Sequence, residues 1–176
     1  MKLLILFIST FLISCANLEN IEKETRAVML INSADAYVGM DESNHRAALK
    51  SFMEVDPVRT EWCAAFVNSI LDSVNIPGSG KFHDHPLMAR SFLEWGDEVK
   101  SPEYGDIIVF PRGGSNWKGH VGFYISSYTS NGTEYYIILG GNQNDKVSYL
   151  PYEAKIAISI RRWPGLVNHK ISRKLQ

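Results

Sequence analysis

The sequence has almost no net charge, few cysteines and no hydrophobic run long enough to cross a bilayer. Its formal net charge is -1 over 176 residues, so no overall field draws it toward nucleic acid, and we expect no nucleic-acid partner. The apolar run from Leu3 to Ile13 falls far short of the roughly 18 residues that a membrane-spanning helix needs. No internal repeat or low-complexity tract is evident. The length therefore favours one globular domain, expected to be a monomer.

The amino terminus has the pattern of an export signal. Lys2 precedes the apolar run, and the small residue Ser14 precedes Cys15, as in a cleaved signal peptide. Residues 12–15, Leu-Ile-Ser-Cys, also resemble a bacterial lipoprotein box. We therefore expect residues 1–15 to be a lipoprotein-type signal, with Cys15 lipid-modified, and an ordinary signal peptide cut nearby is the alternative. The protein would then be exported to the cell envelope and anchored by Cys15 to the periplasmic or outer face of a bacterial membrane.

The scarcity of cysteine makes the second one informative. The chain has two cysteines, and lipidation of Cys15 would leave Cys63 without a disulfide partner. An unpaired thiol in an exported protein is either buried and inert or retained for its reactivity.

Helical patterns fill the first half of the chain. Thr60–Leu71 has an N-cap candidate in Thr60, an acid in Glu61 and a rich apolar face, which together predict a largely buried helix. Residues 21–37, 45–55 and 86–95 have helical patterns too.

Short β-branched and aromatic runs follow Gly105 and predict strands at 107–110, 120–126, 135–139 and 156–162. Asn131-Gly132 lies between two of them and indicates a hairpin. Helices followed by antiparallel strands predict an α+β fold, with the helices on one side of a small antiparallel sheet. We divide the chain into the signal 1–15, an N-terminal helical region 16–58, a main domain 59–163 and a basic tail 164–176.

Cys63 and His120 are the candidate reactive pair. If Thr60 caps its helix, Cys63 is the third helical residue, where free N–H groups and the helix dipole favour a thiolate and lower the thiol pKa. His120 begins a strand in which His120, Gly122 and Tyr124 share one face. Gly122 would leave room for the start of the cysteine helix to approach.

A nucleophile and base usually need a third polar group that orients the imidazole. A two-residue hairpin loop at Asn131-Gly132 would place Gln143 opposite His120, whereas a three-residue loop would place Asn142 there. The register alone leaves both amides open.

Four segments carry a resemblance to a known family. They are 62–67 (WCAAFV), 105–110 (GDIIVF), 119–124 (GHVGFY) and 140–143 (GGNQ). In this order they resemble the CHAP and NlpC-type families of papain-like peptidoglycan amidases and endopeptidases, and residues 89–96 (ARSFLEWG) resemble a segment of one bacterial and phage subgroup.

The resemblance implies a papain-like fold and an enzyme that cleaves amide bonds in peptidoglycan, in the peptide stem or between sugar and peptide. It implies Cys63 as nucleophile, His120 as base and Asn142 as the orienting residue, and so prefers the three-residue loop, although Gln143 could take this place. No metal or other cofactor is implied. Trp62, Trp117 and Gln143 are candidates to line the substrate groove, with core packing as the alternative for Trp62.

Two other functions remain open. A metal-dependent hydrolase could use His83 and His85 as zinc ligands, although no third ligand has a recognisable spacing. The chain could also be a lipid-anchored, non-catalytic module that binds the wall or inhibits a partner, with a cysteine site that is only inherited structure.

Overall fold

Helices precede strands along the part of the chain that a computed structural model describes, residues 25–164. Three predicted segments lie outside these residues: the signal with Cys15, the start of the helix predicted at 21–37, and tail residues 165–176. The helices are α1 (25–35), α2 (Arg46–Met53) and α3 (Cys63–Ser73), with short 3-10 helices at Ser79–Lys81, Ala89–Glu94 and Ala154–Ile156. The strands are β1 (Asp97–Val99), β2 (Ile107–Pro111), β3 (Gly119–Ser130), β4 (Thr133–Gly140), β5 (Ser148–Glu153) and β6 (Ser159–Arg162). Within residues 25–164, none of the helices is both long and apolar enough to cross a bilayer.

The strands form one antiparallel sheet in the order β1-β6-β2-β3-β4-β5, so the α+β prediction is confirmed. Alternation along β3 also follows the prediction. Val121 and Phe123 enter the main core with the helices, whereas Tyr124 packs against a smaller cluster around Phe110 and Ile138. Residues of α1 and α2, such as Leu30 and Leu49, belong to the same main core as α3.

The hairpin between β3 and β4 has a two-residue turn, so the three-residue loop preferred by the resemblance is wrong. Ser130 pairs with Thr133 across Asn131 and Gly132, both at positive φ, as a two-residue hairpin turn requires. A β-bulge between Tyr124 and Ser126 then shifts the register by one residue. Because the bulge adds a residue to β3, the far end of the hairpin has the register that a longer loop would have produced.

Two edge strands were missed by the sequence patterns. β1 is short and begins with two acidic residues. β5 contains Pro151, and proline is tolerated at a sheet edge because an edge strand leaves some N–H positions unpaired. The helix predicted at 86–95 is only the 3-10 helix Ala89–Glu94, and 156–162 is a strand only over Ser159–Arg162.

Helix α3 begins at Cys63, not at Thr60. Trp62 is the N-cap residue and makes no side-chain cap hydrogen bond, and Phe66 N–H donates to the Trp62 carbonyl. Trp62 is completely buried, and its indole N–H donates to Glu42 Oε2 at 3.0 Å. Burial of this indole fixes where the helix begins, so Cys63 occupies its first position.

Gly141 is the glycine that lets α3 approach the sheet. A Cβ on Gly141 would lie 2.5 Å from Trp62 Cζ3 and 2.7 Å from Phe66 Cβ. The sequence assigned this role to Gly122, but a Cβ there would meet Ile138 and the Leu139 carbonyl of β4. Gly122 therefore allows close strand packing, and Gly141 allows the helix to contact the end of β4.

We expect Gly141→Ala to destabilise the protein by about 1–3 kcal/mol, because the new methyl group must displace the Trp62 and Phe66 side chains. Gly140→Ala is the matched control, since a Cβ at Gly140 would have its nearest neighbours at 3.4 Å, ordinary van der Waals contact. Urea unfolding of the two variants measures the difference. Equal losses at both positions would contradict this packing.

Candidate active site

Cys63 lies at the floor of a cleft of about 450 Å³. Its side chain is 3% exposed, so only a small part of it faces the cleft. The backbone N–H groups of Val121 and Ala64 hydrogen-bond to the sulfur. The sulfur is thus held between the start of α3 and the residue that follows His120 in β3.

Burial raises the pKa of the Cys63 thiol, while the Val121 and Ala64 N–H groups and the Arg112 charge lower it. Burial is the larger effect because it removes water from the charged sulfur. The lowered pKa predicted from the helix start is therefore wrong for this structure. The resting side chain is a neutral thiol.

His120 is buried in β3, with its ring stacked on Tyr152 at a centroid distance of 5.3 Å and an interplanar angle of 16°. Its Nε2 lies 3.1 Å from Gln143 Oε1. Burial lowers the pKa of His120 to about 4, against a smaller raising effect of the Gln143 hydrogen bond. The imidazole is neutral at pH 7.

Gln143 determines which nitrogen of His120 carries the proton. Its Nε2 donates to the carbonyl oxygens of Ile138, at 3.3 Å, and Ser148. Since the amide nitrogen is occupied by two acceptors, Oε1 faces His120 and must accept a hydrogen bond from His120 Nε2. The neutral ring therefore has its lone pair on Nδ1.

Asn142 does not contact the imidazole. Asn142 has φ 56°, and its Nδ2 donates to Glu61 Oε2 at 2.8 Å. The side chain implied as the orienting group is thus directed to Glu61 by a left-handed turn, and the side chain that reaches back to His120 is Gln143, the alternative left open by the sequence.

Cys63 and His120 share their surroundings. The charges of Glu61 and Arg112 act on the pKa of both side chains, and Tyr152, stacked on His120, is close enough for its pKa to respond to Cys63. The N–H of Val121, the residue after His120, also lowers the pKa of the thiol. The thiol and the imidazole therefore lie within range of the same two charges, where α3 packs against the sheet.

The proposed groove residues divide between cleft and core. Trp117 is 59% exposed and lines the cleft beside Cys63, with Glu61, Arg112 and Lys118. Trp62 is buried in the core, as the core-packing alternative to a place in the groove predicts. Gln143 is buried and does not line this cleft. Of these three candidates, only Trp117 is in position to touch a molecule bound there.

Three residues near the pair were missed. Glu61 was interpreted as a first-turn helix residue, but it precedes the helix. Arg112 lies 51 residues after Glu61 in the sequence, and no local sequence pattern predicts a contact over that separation. Tyr152 could have been found only by predicting β5 and its register against β4.

His83 and His85 lie together in a loop, with ring centroids 5.8 Å apart. The carboxylate paired with His83 is Glu94, at 4.0 Å. Among residues 25–164, no three His, Cys, Asp or Glu side chains are grouped so that they could hold a metal ion.

An α+β domain with a buried cysteine at a helix start and a buried histidine on the adjoining strand has the architecture expected of a thiol hydrolase. A family model of the CHAP domain matches residues 55–142, half of the chain. The chain belongs to the CHAP family. Membership indicates a function of the peptidoglycan hydrolase or amidase type, with peptidoglycan as substrate. A comparison with curated proteins found no match.

The buried imidazole predicts a specific pH dependence of stability. An unfolded chain binds a proton on His120 near pH 6.5, whereas the folded protein does so only near pH 4. The free energy of unfolding should therefore fall as the pH is lowered from about 6.5 to 4, by roughly 3 kcal/mol from this group. Urea unfolding at several pH values measures this slope.

His120→Gln should flatten this pH dependence of the unfolding free energy. His85→Gln, at an exposed histidine, should leave it unchanged. An unchanged slope in His120→Gln would contradict the burial effect.

Proposed function

We propose that the protein is an exported cysteine hydrolase that cleaves amide bonds in peptidoglycan, in the peptide stem or between sugar and peptide. Cys63 would be the nucleophile, His120 the base and Gln143 the residue that orients the base. The observation that carries the proposal is the hydrogen bond from His120 Nε2 to Gln143, because it leaves Nδ1 as the basic nitrogen of the ring.

The reaction would begin from a neutral thiol and a neutral imidazole. His120 Nδ1 takes the thiol proton as the sulfur attacks the carbonyl carbon, and the protonated ring then gives this proton to the departing amine. A thioester remains on Cys63. The same nitrogen takes a proton from water as the water attacks, and it returns the proton to sulfur when the acid is released.

The backbone N–H of Cys63 would stabilise the oxyanion of this reaction. It is the first N–H of α3, and the first N–H groups of a helix have no intrahelical acceptor. Such preorganised donors stabilise the charge that develops on a carbonyl oxygen under attack.

The proposed place of action rests on the signal-like pattern of the first 15 residues. A signal of the lipoprotein type would export the protein and leave it attached through a lipid on Cys15, at the membrane face that adjoins the wall. This arrangement keeps the hydrolase close to its polymer and limits how far it acts.

We expect Gln143→Ala to lower the rate of wall-peptide release by about 10- to 100-fold, since the imidazole then loses the acceptor that fixes its tautomer and orientation. Asn142→Ala is the matched neighbour, and we expect a much smaller loss of rate on a substrate without a free carboxylate. Release of new amino groups from a wall peptide whose free carboxylates have been converted to carboxamides measures both rates. A larger loss in Asn142→Ala would assign the orienting role to Asn142 after all.

Cys63→Ala should release no new peptide or amine ends from purified wall, because the thioester would form on the Cys63 sulfur. The double variant His83→Ala/His85→Ala should retain activity, as should the wild type in a chelator. Mass analysis of the products identifies the bond that is cut. Activity in Cys63→Ala, or its loss in chelator, would favour the metal-dependent alternative, and an inactive wild type would favour a binding module.

A further inference from the structure

A carboxylate is already held at the edge of the cleft. Glu61 Oε2 accepts hydrogen bonds from Arg112 Nη1 and from Asn142 Nδ2. These donors come from the loop after β2 and the turn after β4. The site thus has a guanidinium and an amide directed at one carboxylate oxygen, and the chain's own Glu61 occupies it.

This carboxylate can be displaced at little cost. The side chains of Glu61 and Arg112 are 74% and 45% exposed, and exposed ion pairs contribute little to stability because water competes for both partners. Glu61 is also free to turn into solvent, since it precedes α3. The Arg112 and Asn142 donors would then be open to another carboxylate.

The Arg112 donor lies in the cleft that also contains the proposed nucleophile. Glu61 and Arg112 line the same cleft as Cys63, and both charges act on the thiol. A ligand carboxylate that replaced Glu61 would therefore lie in the same cleft as the sulfur, so that it and the amide under attack can belong to one bound molecule. Guanidinium groups recognise carboxylates with strong, directed hydrogen bonds.

We propose that Arg112 and Asn142 form a subsite for a free carboxylate adjacent to the scissile amide, and that Glu61 is the internal occupant which the substrate displaces. The inference rests on the proposed function and narrows its substrate to acidic peptide stems. A stem whose carboxylate is converted to a carboxamide lacks the charge that Arg112 recognises and should bind weakly.

Binding to the Cys63→Ala protein tests the subsite without any need for turnover. Two peptides that differ only in a carboxylate or a carboxamide next to the scissile amide are titrated by calorimetry. We expect the carboxylate peptide to bind roughly 10- to 100-fold more tightly, the range expected for a charge-assisted hydrogen bond.

Three further substitutions in the Cys63→Ala background locate the effect. Arg112→Gln should abolish the preference by weakening only the carboxylate peptide. Lys118→Gln removes a different cation that lines the same cleft, and the preference should persist. Glu61→Gln should tighten the carboxylate peptide a few-fold, since the competing charge is gone. Thermal unfolding confirms that each variant is folded.

The outcomes separate the subsite from general electrostatic attraction. Equal losses in Arg112→Gln and Lys118→Gln, or equal affinity of the two peptides for the parent protein, would overturn the proposal. Turnover of the same peptides by the Cys63-containing protein is measured in parallel. If it cleaves neither peptide while the Arg112-dependent preference is present, the subsite stands and the hydrolase function fails.

Discussion

The structure of the site depends on one close contact, between Gly141, the residue after β4, and the Trp62 and Phe66 side chains at the start of α3. The residue after Trp62 is Cys63, and the residues after Gly141 are Asn142 and Gln143. A contact that tolerates no Cβ therefore brings together the thiol and the amide groups from segments 80 residues apart. The buried indole fixes the start of α3, and the missing side chain at Gly141 fixes its distance from the sheet.

The same close packing sets the chemistry of the pair. Burial raises the pKa of Cys63 and lowers the pKa of His120, so both effects oppose a resting thiolate–imidazolium pair. Proton transfer would instead accompany attack on the substrate, when charge moves to the carbonyl oxygen near the helix start. A neutral thiol also reacts more slowly with oxidants than a thiolate, which would protect an unpaired cysteine.

Local patterns were sufficient to predict the elements that carry the reactive residues, and insufficient for the contacts between them. The β-branched run around His120 predicted its strand, and Asn131-Gly132 predicted the hairpin turn, because both signals lie within a few residues. The bulge after Tyr124 has no such signal; it shifts the register toward Asn142, yet the amide that contacts His120 is that of Gln143. Thr60 and Glu61 are residue types that favour a helix start, yet the helix begins only at Cys63, after the buried Trp62. The Arg112–Glu61 pair joins segments that only the folded sheet brings together.

The choice of Gln143 over Asn142 follows from reach. Gly140 has no side chain, and a Cβ there would lie 3.4 Å from both Gln143 Oε1 and His120 Nε2, so the space above it is open to a side chain from further along the turn. Glutamine has one more methylene group than asparagine and can extend back over Gly140 to the imidazole. Asn142, turned outward by its left-handed backbone, is then free to donate to Glu61 at the cleft. Two adjacent amides thus serve opposite sides of the site: one fixes the base, and the other helps to hold a carboxylate where the substrate would enter.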